Sequence, residues 1–182
     1  MGEVVATLDK LKQDGKIRFY ALSNVHKDRY EEIKPFVGKF VALQNEYSLA
    51  SRENESDLVD FCSNNKLSPL TWGSLGQGIL TGKYNKNVVF GSNDRRSRDI
   101  YVNFHGEKLI KNLIIVEKLK EIATVHNKPV AAVAIRFILD KINGSVALIG
   151  AKKPAQVLQN IQAMDWNLSS EELKSLDEIS KI

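Results

Sequence analysis

The sequence predicts an α/β protein built on a parallel sheet, and three observations carry that prediction. Four short β-rich runs alternate with amphipathic helical stretches along the 182 residues, which is the order of βαβ units. The first two strand-to-strand intervals, Ile17 to Val41 and Val41 to Leu67, are similar, as a repeated βα unit requires. The chain is 43% hydrophobic and 26% charged, close to the average of a soluble domain with its own core.

Each element has its own signal. Val4, Val5, Leu8 and Leu11 recur at helical spacing, and Gly15 follows as a stop. Ile17 to Leu22 reads as a strand that exits through Ser23-Asn24. A short helix is expected over roughly Asp28 to Phe36, then a second strand over Val41 to Gln44. Asn54 to Asn64 reads as a helix with Leu58, Phe61 and Cys62 on one side. Leu67 to Trp72 is the third strand, and a glycine-rich stretch ends it. From Tyr84 to about His105 the chain is polar and aperiodic, so a long loop is expected over 84–106, of the kind that carries function or moves.

Leu109, Leu113, Val116, Leu119 and Ile122 then mark a strong amphipathic helix from Glu107 to His126. Pro129 opens a second helix that runs to Asp140. Asn143-Gly144 turns into a fourth strand, Ser145 to Ile149, and Pro154 opens a helix through Leu158 and Ile161. Ser169 with Glu172 is a capping box for a last helix that carries Leu173, Leu176 and Ile179. One domain over 1–182 is expected. A complete (β/α)8 barrel takes about 250 residues, and here a helix with no strand ahead of it comes first, so further strands are expected upstream.

Composition narrows the function. A lone Cys62 builds no disulfide framework, and no C-x-x-C or His/Cys cluster suggests a metal. No apolar stretch nears membrane-spanning length, so the expectation is a cytoplasmic protein without a membrane partner. The net charge of +4 comes from 26 Lys and Arg interleaved with 22 acidic residues. The one dense run, Arg95-Arg96-Ser97-Arg98, reads as a solvated loop face, and no nucleic-acid module accompanies it.

In parallel architectures ligands sit at the C-terminal ends of the strands. Those ends here are Ser23-Asn24, the stretch Gln44-Asn45-Glu46-Tyr47, the stretch 72–78, and Gly150 through Lys153. Taken singly, each has an ordinary reading: a helix N-cap, a polar strand end, a core tryptophan, a solvated lysine pair. The glycine run is spaced Gly-x-x-Gly-x-Gly and is not the dinucleotide fingerprint. Taken together and in order, the four sites resemble the second half of an aldo-keto reductase. The matching stretches are GKIR (15–18) leading into LSN (22–24), LQNEYSL (43–49), WGSLGQGILTGKY (72–84), and LIGAKKPAQ (148–156) with Asn160. The LSSEEL ending at 168–173 completes the series, so the resemblance spans essentially the whole chain.

The resemblance implies a parallel (β/α)8 barrel of the TIM type, of which this chain supplies about the second half, four βα units. It implies that Ser23, Asn24 and Gln44 hold the carboxamide of a nicotinamide, a group that needs both a donor and an acceptor. Trp72 matches the aromatic position that stacks on the nicotinamide ring. Gly73, Ser74, Leu75, Gly76 and Gln77 match the loop along the pyrophosphate, where small residues let backbone N–H groups approach. Lys83 and Arg96 match basic residues near that phosphate. Gly150, Lys152, Gln156, Gln159 and Asn160 match the adenosine-phosphate site at a helix start. Lys152 beside Lys153 suits a 2′-phosphate, so the implied cofactor is NADPH (NADP) and the implied substrate a small-molecule carbonyl compound.

The chain departs from the family pattern in places. Many relatives read Ser-Pro-Leu where this chain has Gly73-Ser74-Leu75, and Gln77 stands where one branch often carries Arg. The family's catalytic Asp, Tyr, Lys and His fall in the first half of its barrel, ahead of the residues given, and no tyrosine or histidine here lies in a segment that could replace them. Two readings stay open: an oxidoreductase reducing aldehydes and ketones with NADPH, of which this is the cofactor-binding half, or a non-catalytic half-barrel that binds dinucleotide weakly or serves association. Four strands covered by helices on one side leave the other side of the sheet open, so a homo-oligomer is expected.

Overall fold

The computed structural model describes residues 1–181. Strands β1 (Leu22–Ser23), β2 (Ala42–Glu46), β3 (Ser68–Trp72) and β4 (Val146–Ala147) form one sheet in chain order, and every pairing is parallel. The helices are α1 (Gly2–Gln13), α2 (Tyr30–Ile33), α3 (Cys62–Asn65), α4 (Gly106–His126), α5 (Val130–Lys141), α6 (Pro154–Asn160) and α7 (Ser170–Ile179). No single helix among the described residues is long and apolar enough to cross a membrane.

The outer strands are shorter than the sequence suggests. Of the run Ile17 to Leu22 only Leu22 enters the ladder, paired with Leu43. The cause is the partner: β2 starts at Ala42, and the chain ahead of it is still wound in the 3-10 turn Lys34–Lys39, so Ile17 to Phe19 have no strand to pair with, and Phe19 is 64% exposed. At the other edge, Val146 and Ala147 pair with Leu70 and Thr71, and Leu148 donates a last bond to Thr71 O at 2.8 Å. Beyond Trp72 the chain turns away through Gly73 at φ +68°, which leaves Ile149 without a ladder partner.

Two expected helices change their winding along the way. The stretch Asp28 to Phe36 becomes a tight turn at Lys27–Arg29, one turn of α2, and a 3-10 turn at Lys34–Lys39. Pro35 lacks the N–H that a continuous helix would donate, so the winding tightens there. Asn54 to Asn64 becomes a wide π turn at Asp57–Phe61 followed by α3, which Lys66 ends in the left-handed region at φ +57°. The π turn is braced inside: buried Asp57 accepts from Tyr30 Oη at 2.7 Å and from His26 Nδ1 at 2.9 Å. Burial, helped by the Asp57 charge, pushes the Cys62 thiol beside it up to about 11.

The sheet has two unlike faces. Leu22, Leu43, Asn45 and Thr71 point to the helix side and are buried. On the other side the register aligns Ser23, Gln44, Leu70 and Val146 in one row and Glu46 with Trp72 in the next. Those residues are half-buried or exposed, and Val146 is 49% exposed. The larger core lies under α4, α5 and α7, around Leu80, Val116, Leu119, Phe137, Ile138 and Leu176. The smaller one joins α1 and α2 to the first two strands through Val5, Tyr20, Leu22, Ile33 and Leu43.

An ion network pins the last helix. Arg52 lies over the rings of Phe137 and Tyr47, with its guanidinium carbon 5.1 and 5.5 Å from their centres, and it bonds Glu55 and Asp177. Lys141 reaches Asp177 at 2.9 Å from α5. The capping box forms at the start of α7, with Ser169 accepting from Glu172 N and Glu172 accepting from Ser169 N.

Candidate cofactor-binding cleft

The strand ends gather the first group of expected site residues. Trp72 Nε1 donates to Asn24 Oδ1 at 3.0 Å, across β2 from β3 to the exit of β1. Asn24 sits in the left-handed region at φ +51°, a conformation asparagine tolerates, and its backbone N–H donates to Gln44 O at 2.9 Å. Ser23 Oγ donates to Gln44 Oε1 at 3.3 Å. Ser23, Asn24, Gln44 and Trp72 are therefore one hydrogen-bonded set, and the side-chain amide donors of Asn24 and Gln44 are left over for a ligand.

Directly after Trp72, the glycine-rich loop builds one wall of a cleft of about 980 Å³. Gly73 turns at φ +68° against the Glu46 side chain, where an added Cβ would come within 3.1 Å of Oε1. Ser74 is 1% exposed, and its hydroxyl lies 2.9 Å from Thr71 O, 2.9 Å from Thr71 Oγ1 and 3.1 Å from Leu148 O. It ties β3 to the segment after β4 and offers a ligand its backbone only. Gly76 does not line the cleft. It is buried behind it, where a Cβ would lie 2.9 Å from Ile79 and 3.0 Å from Ala50. Its N–H is already bonded to Gly73 O at 2.7 Å.

The opposite wall comes from Leu148 to Lys152 and from α6, with Gln156, Gln159 and Asn160. Gln156 Oε1 accepts from the backbone N–H of Lys152 at 2.7 Å and of Lys153 at 3.1 Å, so its carbonyl shapes the turn into α6 and only its NH2 remains for a ligand. Lys153 is not among the lining residues. The first residues of α5, Val130 and Ala131 after Pro129, open onto the same cleft, and a helix start favours negative charge.

Charge in the cleft is lopsided. Lys83, Arg95, Arg96 and Lys152 line it, against the single acid Asp94. Lys83, Arg95 and Lys152 form no ion pair among the described residues, whereas Arg96 is held by Asp94. Hydrogen bonds from Arg96, helped by the Lys152 charge, hold the Asp94 carboxyl well below the usual carboxylate range. A loop whose backbone meets positive side chains and a helix start suits a phosphate diester, and a cleft of this size admits a dinucleotide.

Several participants have no simple sequence signal. Asn93, Asp94 and Tyr101 reach the cleft from the long segment between Gly82 and α4, which forms 3-10 turns at Arg95–Ser97 and Val102–Phe104. Its polarity and length marked it as a loop, but not which residues point inward. Gln77 lines the cleft, with its side chain held by protein groups. At φ +53° it donates from Nε2 to Glu46 Oε1 at 3.2 Å and accepts from Asn103, which is buried together with Asn112. Glu46 thus enters the account as the acid that orients Gln77.

With this geometry described, comparison places the chain. The model of the aldo/keto reductase family matches residues 1–181, and the chain belongs to that family. It is 32% identical over 178 residues to an aldo-keto reductase of Bacillus subtilis, covering 97% of this chain and 53% of that protein. It is 29% identical over 181 residues to the NADH-specific methylglyoxal reductase of Escherichia coli, covering 100% of this chain and 54% of that one. Among solved structures, a glycerol dehydrogenase of Gluconobacter oxydans superposes with a TM-score of 0.85 at 32% identity, over 96% of this chain and 52% of that one. An aldo/keto reductase of Klebsiella pneumoniae in complex with NADP and acetate superposes at 0.70 with 25% identity, over 97% and 53%. The chain spans about half the length of the relatives it matches, and its four parallel strands correspond to half of a (β/α)8 barrel.

Burial raises the Glu46 carboxyl above its ordinary value, an effect the Gln77 bond only partly offsets. With a raised native value the folded chain holds the proton more tightly than the unfolded chain. Stability therefore falls as pH climbs from the ordinary glutamate value through the raised one. Replacing Glu46 by Gln should remove that slope and leave the variant the more stable of the two at neutral pH. Urea melts between pH 4 and 8 check this, and identical pH profiles for parent and variant would contradict it.

Proposed function

We propose that this chain is the cofactor-binding half of an aldo-keto reductase that reduces aldehydes or ketones with NADPH in the cytoplasm. The observation that carries the reading is the single cleft joining the glycine loop after β3, the basic wall of Lys83, Arg95 and Lys152, and, next to it, the strand-end set of Asn24, Gln44 and Trp72. A reduced nicotinamide supplies hydride to a carbonyl carbon when it is bound.

The chain's own residues bind and orient. The free amide donors of Asn24 and Gln44 suit the carbonyl oxygen of a carboxamide, and the bond from Trp72 to Asn24 fixes the indole beside them. The loop from Gly73 to Gln77, Gly76 excepted, offers backbone N–H groups to a pyrophosphate, and Lys83 and Arg95 supply compensating charge. Lys152, with Gln156, Gln159 and Asn160, meets the adenosine end, and its ammonium, without an ion-pair partner among the described residues, favours the 2′-phosphate of NADP. The Klebsiella relative's complex with NADP supports this reading, whereas the Escherichia coli relative is named for NADH. The general acid and its supporting lysine lie outside residues 1–182 in this reading, so the carbonyl substrate meets residues beyond those given.

The cofactor claim is tested by calorimetric titration. NADP should bind more tightly than NAD, and Lys152→Met should weaken NADP by about ten- to a hundredfold, the scale of a charged hydrogen bond of about 1.5–3 kcal/mol. The preference should shrink with added salt. Equal affinities for the two nucleotides would reject NADP as the cofactor.

A second reading, association, rests on the sheet. Among the described residues, Leu70, Trp72 and Val146 stand on the face that no helix covers, and β1 and β4 each pair on one side only. Parallel sheets are covered on both faces in nearly all proteins. We therefore expect a second copy to meet this face and to produce a dimer or larger species at micromolar concentration. Light scattering checks it, and a monomer with a cooperative melt would refute it.

A further inference from the structure

Arg96 stands in the cleft, yet protein groups already take three of its five side-chain N–H donors, including the whole Nε–Nη2 edge. Its backbone N–H and Nε reach Asp94 Oδ1 at 3.0 and 2.9 Å, and Nη2 bonds Asp94 Oδ2. Nη1 donates to the Tyr84 hydroxyl. The guanidinium carbon lies 4.3 Å from the centre of the Phe90 ring, 5.4 Å from that of Tyr84 and 5.7 Å from that of Phe104. These rings pack edge to face, with centroids 4.9 to 5.7 Å apart. This is a built holder for a cation, and a carboxylate closes its open side.

Two consequences follow from charge. The planar fork of an arginine matches a phosphate as well as it matches a carboxylate, so Asp94 sits where a phosphate ester would otherwise engage Arg96. The pair is also neutral overall, which leaves Lys83, Arg95 and Lys152 as the net positive charge of the cleft. The Asp94 carboxylate itself repels a dianion arriving near Lys152.

We propose that Asp94 is a specificity-determining residue of this cleft: by occupying the Arg96 fork it withholds that cation from the phosphate ester of a dinucleotide and limits the preference for NADP over NAD. The proposal rests on the cofactor reading above and adds to it a residue that acts against the 2′-phosphate. Arg96 then serves to anchor the segment after Gly82 through its aromatic holder, and Lys152 alone faces the 2′-phosphate.

The test compares dissociation constants of NADP and NAD for the parent chain, Asp94→Asn and Asp94→Glu, each first checked for a cooperative melt. Asparagine keeps an oxygen toward Arg96 and loses the charge. Asp94→Asn should bind NADP about five- to tenfold more tightly with NAD within about twofold, and 0.5 M salt should erase most of the gain. Asp94→Glu keeps the charge and should hold the parent's ratio within about twofold. An unmoved ratio in Asp94→Asn, with both nucleotides bound, overturns this proposal and leaves the cofactor reading standing. If the parent binds neither nucleotide, the cofactor reading falls and takes this proposal with it. Should Asp94→Asn fail to fold, the double variant Asp94→Asn with Arg96→Gln decides. Removing a neutral pair should leave the ratio within about twofold, and a tenfold loss of NADP affinity would show Arg96 to be a phosphate ligand and overturn the proposal.

Discussion

The parallel ladder between β2 and β3 is the constraint on which the rest of the structure depends. It aligns five residue pairs, from Ala42 with Ser68 to Glu46 with Trp72, whereas the ladders to β1 and β4 align two each. Because the two strands end level, Glu46 and Trp72 stand side by side at the rim, and the chain leaves β3 at Gly73 directly against Glu46. Ser74 then carries the alignment across to β4 by bonding both Thr71 and Leu148. The backbone bond from Leu148 N to Thr71 O at 2.8 Å supports the same link, and losing the Ser74 hydroxyl would leave Leu148 O short of that partner.

From this rim the site divides its labour between side chains and backbone. Ser74, Gln77 and Gln156 spend side-chain groups on holding loops in shape, and Arg96 spends its fork on Asp94. Among the described residues, Lys83, Arg95 and Lys152 line the cleft without an ion-pair partner, beside the amides of Gln156, Gln159 and Asn160. The geometry is preorganised for an anion, since the polar groups that fix it are already paired before any ligand arrives. The hydrogen-bonded chain from buried Asn112 and Asn103 through Gln77 to Glu46 extends that order to the loop after Gly82, so the loop and the strand rim are linked.

Much of the fold was legible in the sequence because its signals are local. The capping box at Ser169 and Glu172, the stop at Gly15, the apolar stripe of α4 and the alternation of strands and helices are all read within one or two turns of chain. Strand length was not legible, because it depends on what lies opposite: β2 begins too late to pair Ile17, and Gly73 turns away before Ile149. Pro35 was a readable break that the apolar spacing from Asp28 to Phe36 outweighed. In the site, the residues with roles implied by the resemblance fall around one rim and one cleft, apart from Gly76, which lies behind it. Asp94 and the side-chain partners of Gln77 and Gln156 were invisible, because a long-range hydrogen bond leaves no periodic trace. The family membership itself needed four short stretches in register, since each of them alone has an ordinary structural reading.

The central claim is that the stretch after β3 and the stretch after β4 face one dinucleotide. Hydrogen exchange read by mass spectrometry, with and without saturating NADP, tests it directly. The account predicts slowed exchange together in peptides covering 73–83, 94–101 and 148–153, with the outer surface of α4 unchanged. Protection confined to one of these stretches, or spread evenly over the chain, would contradict it.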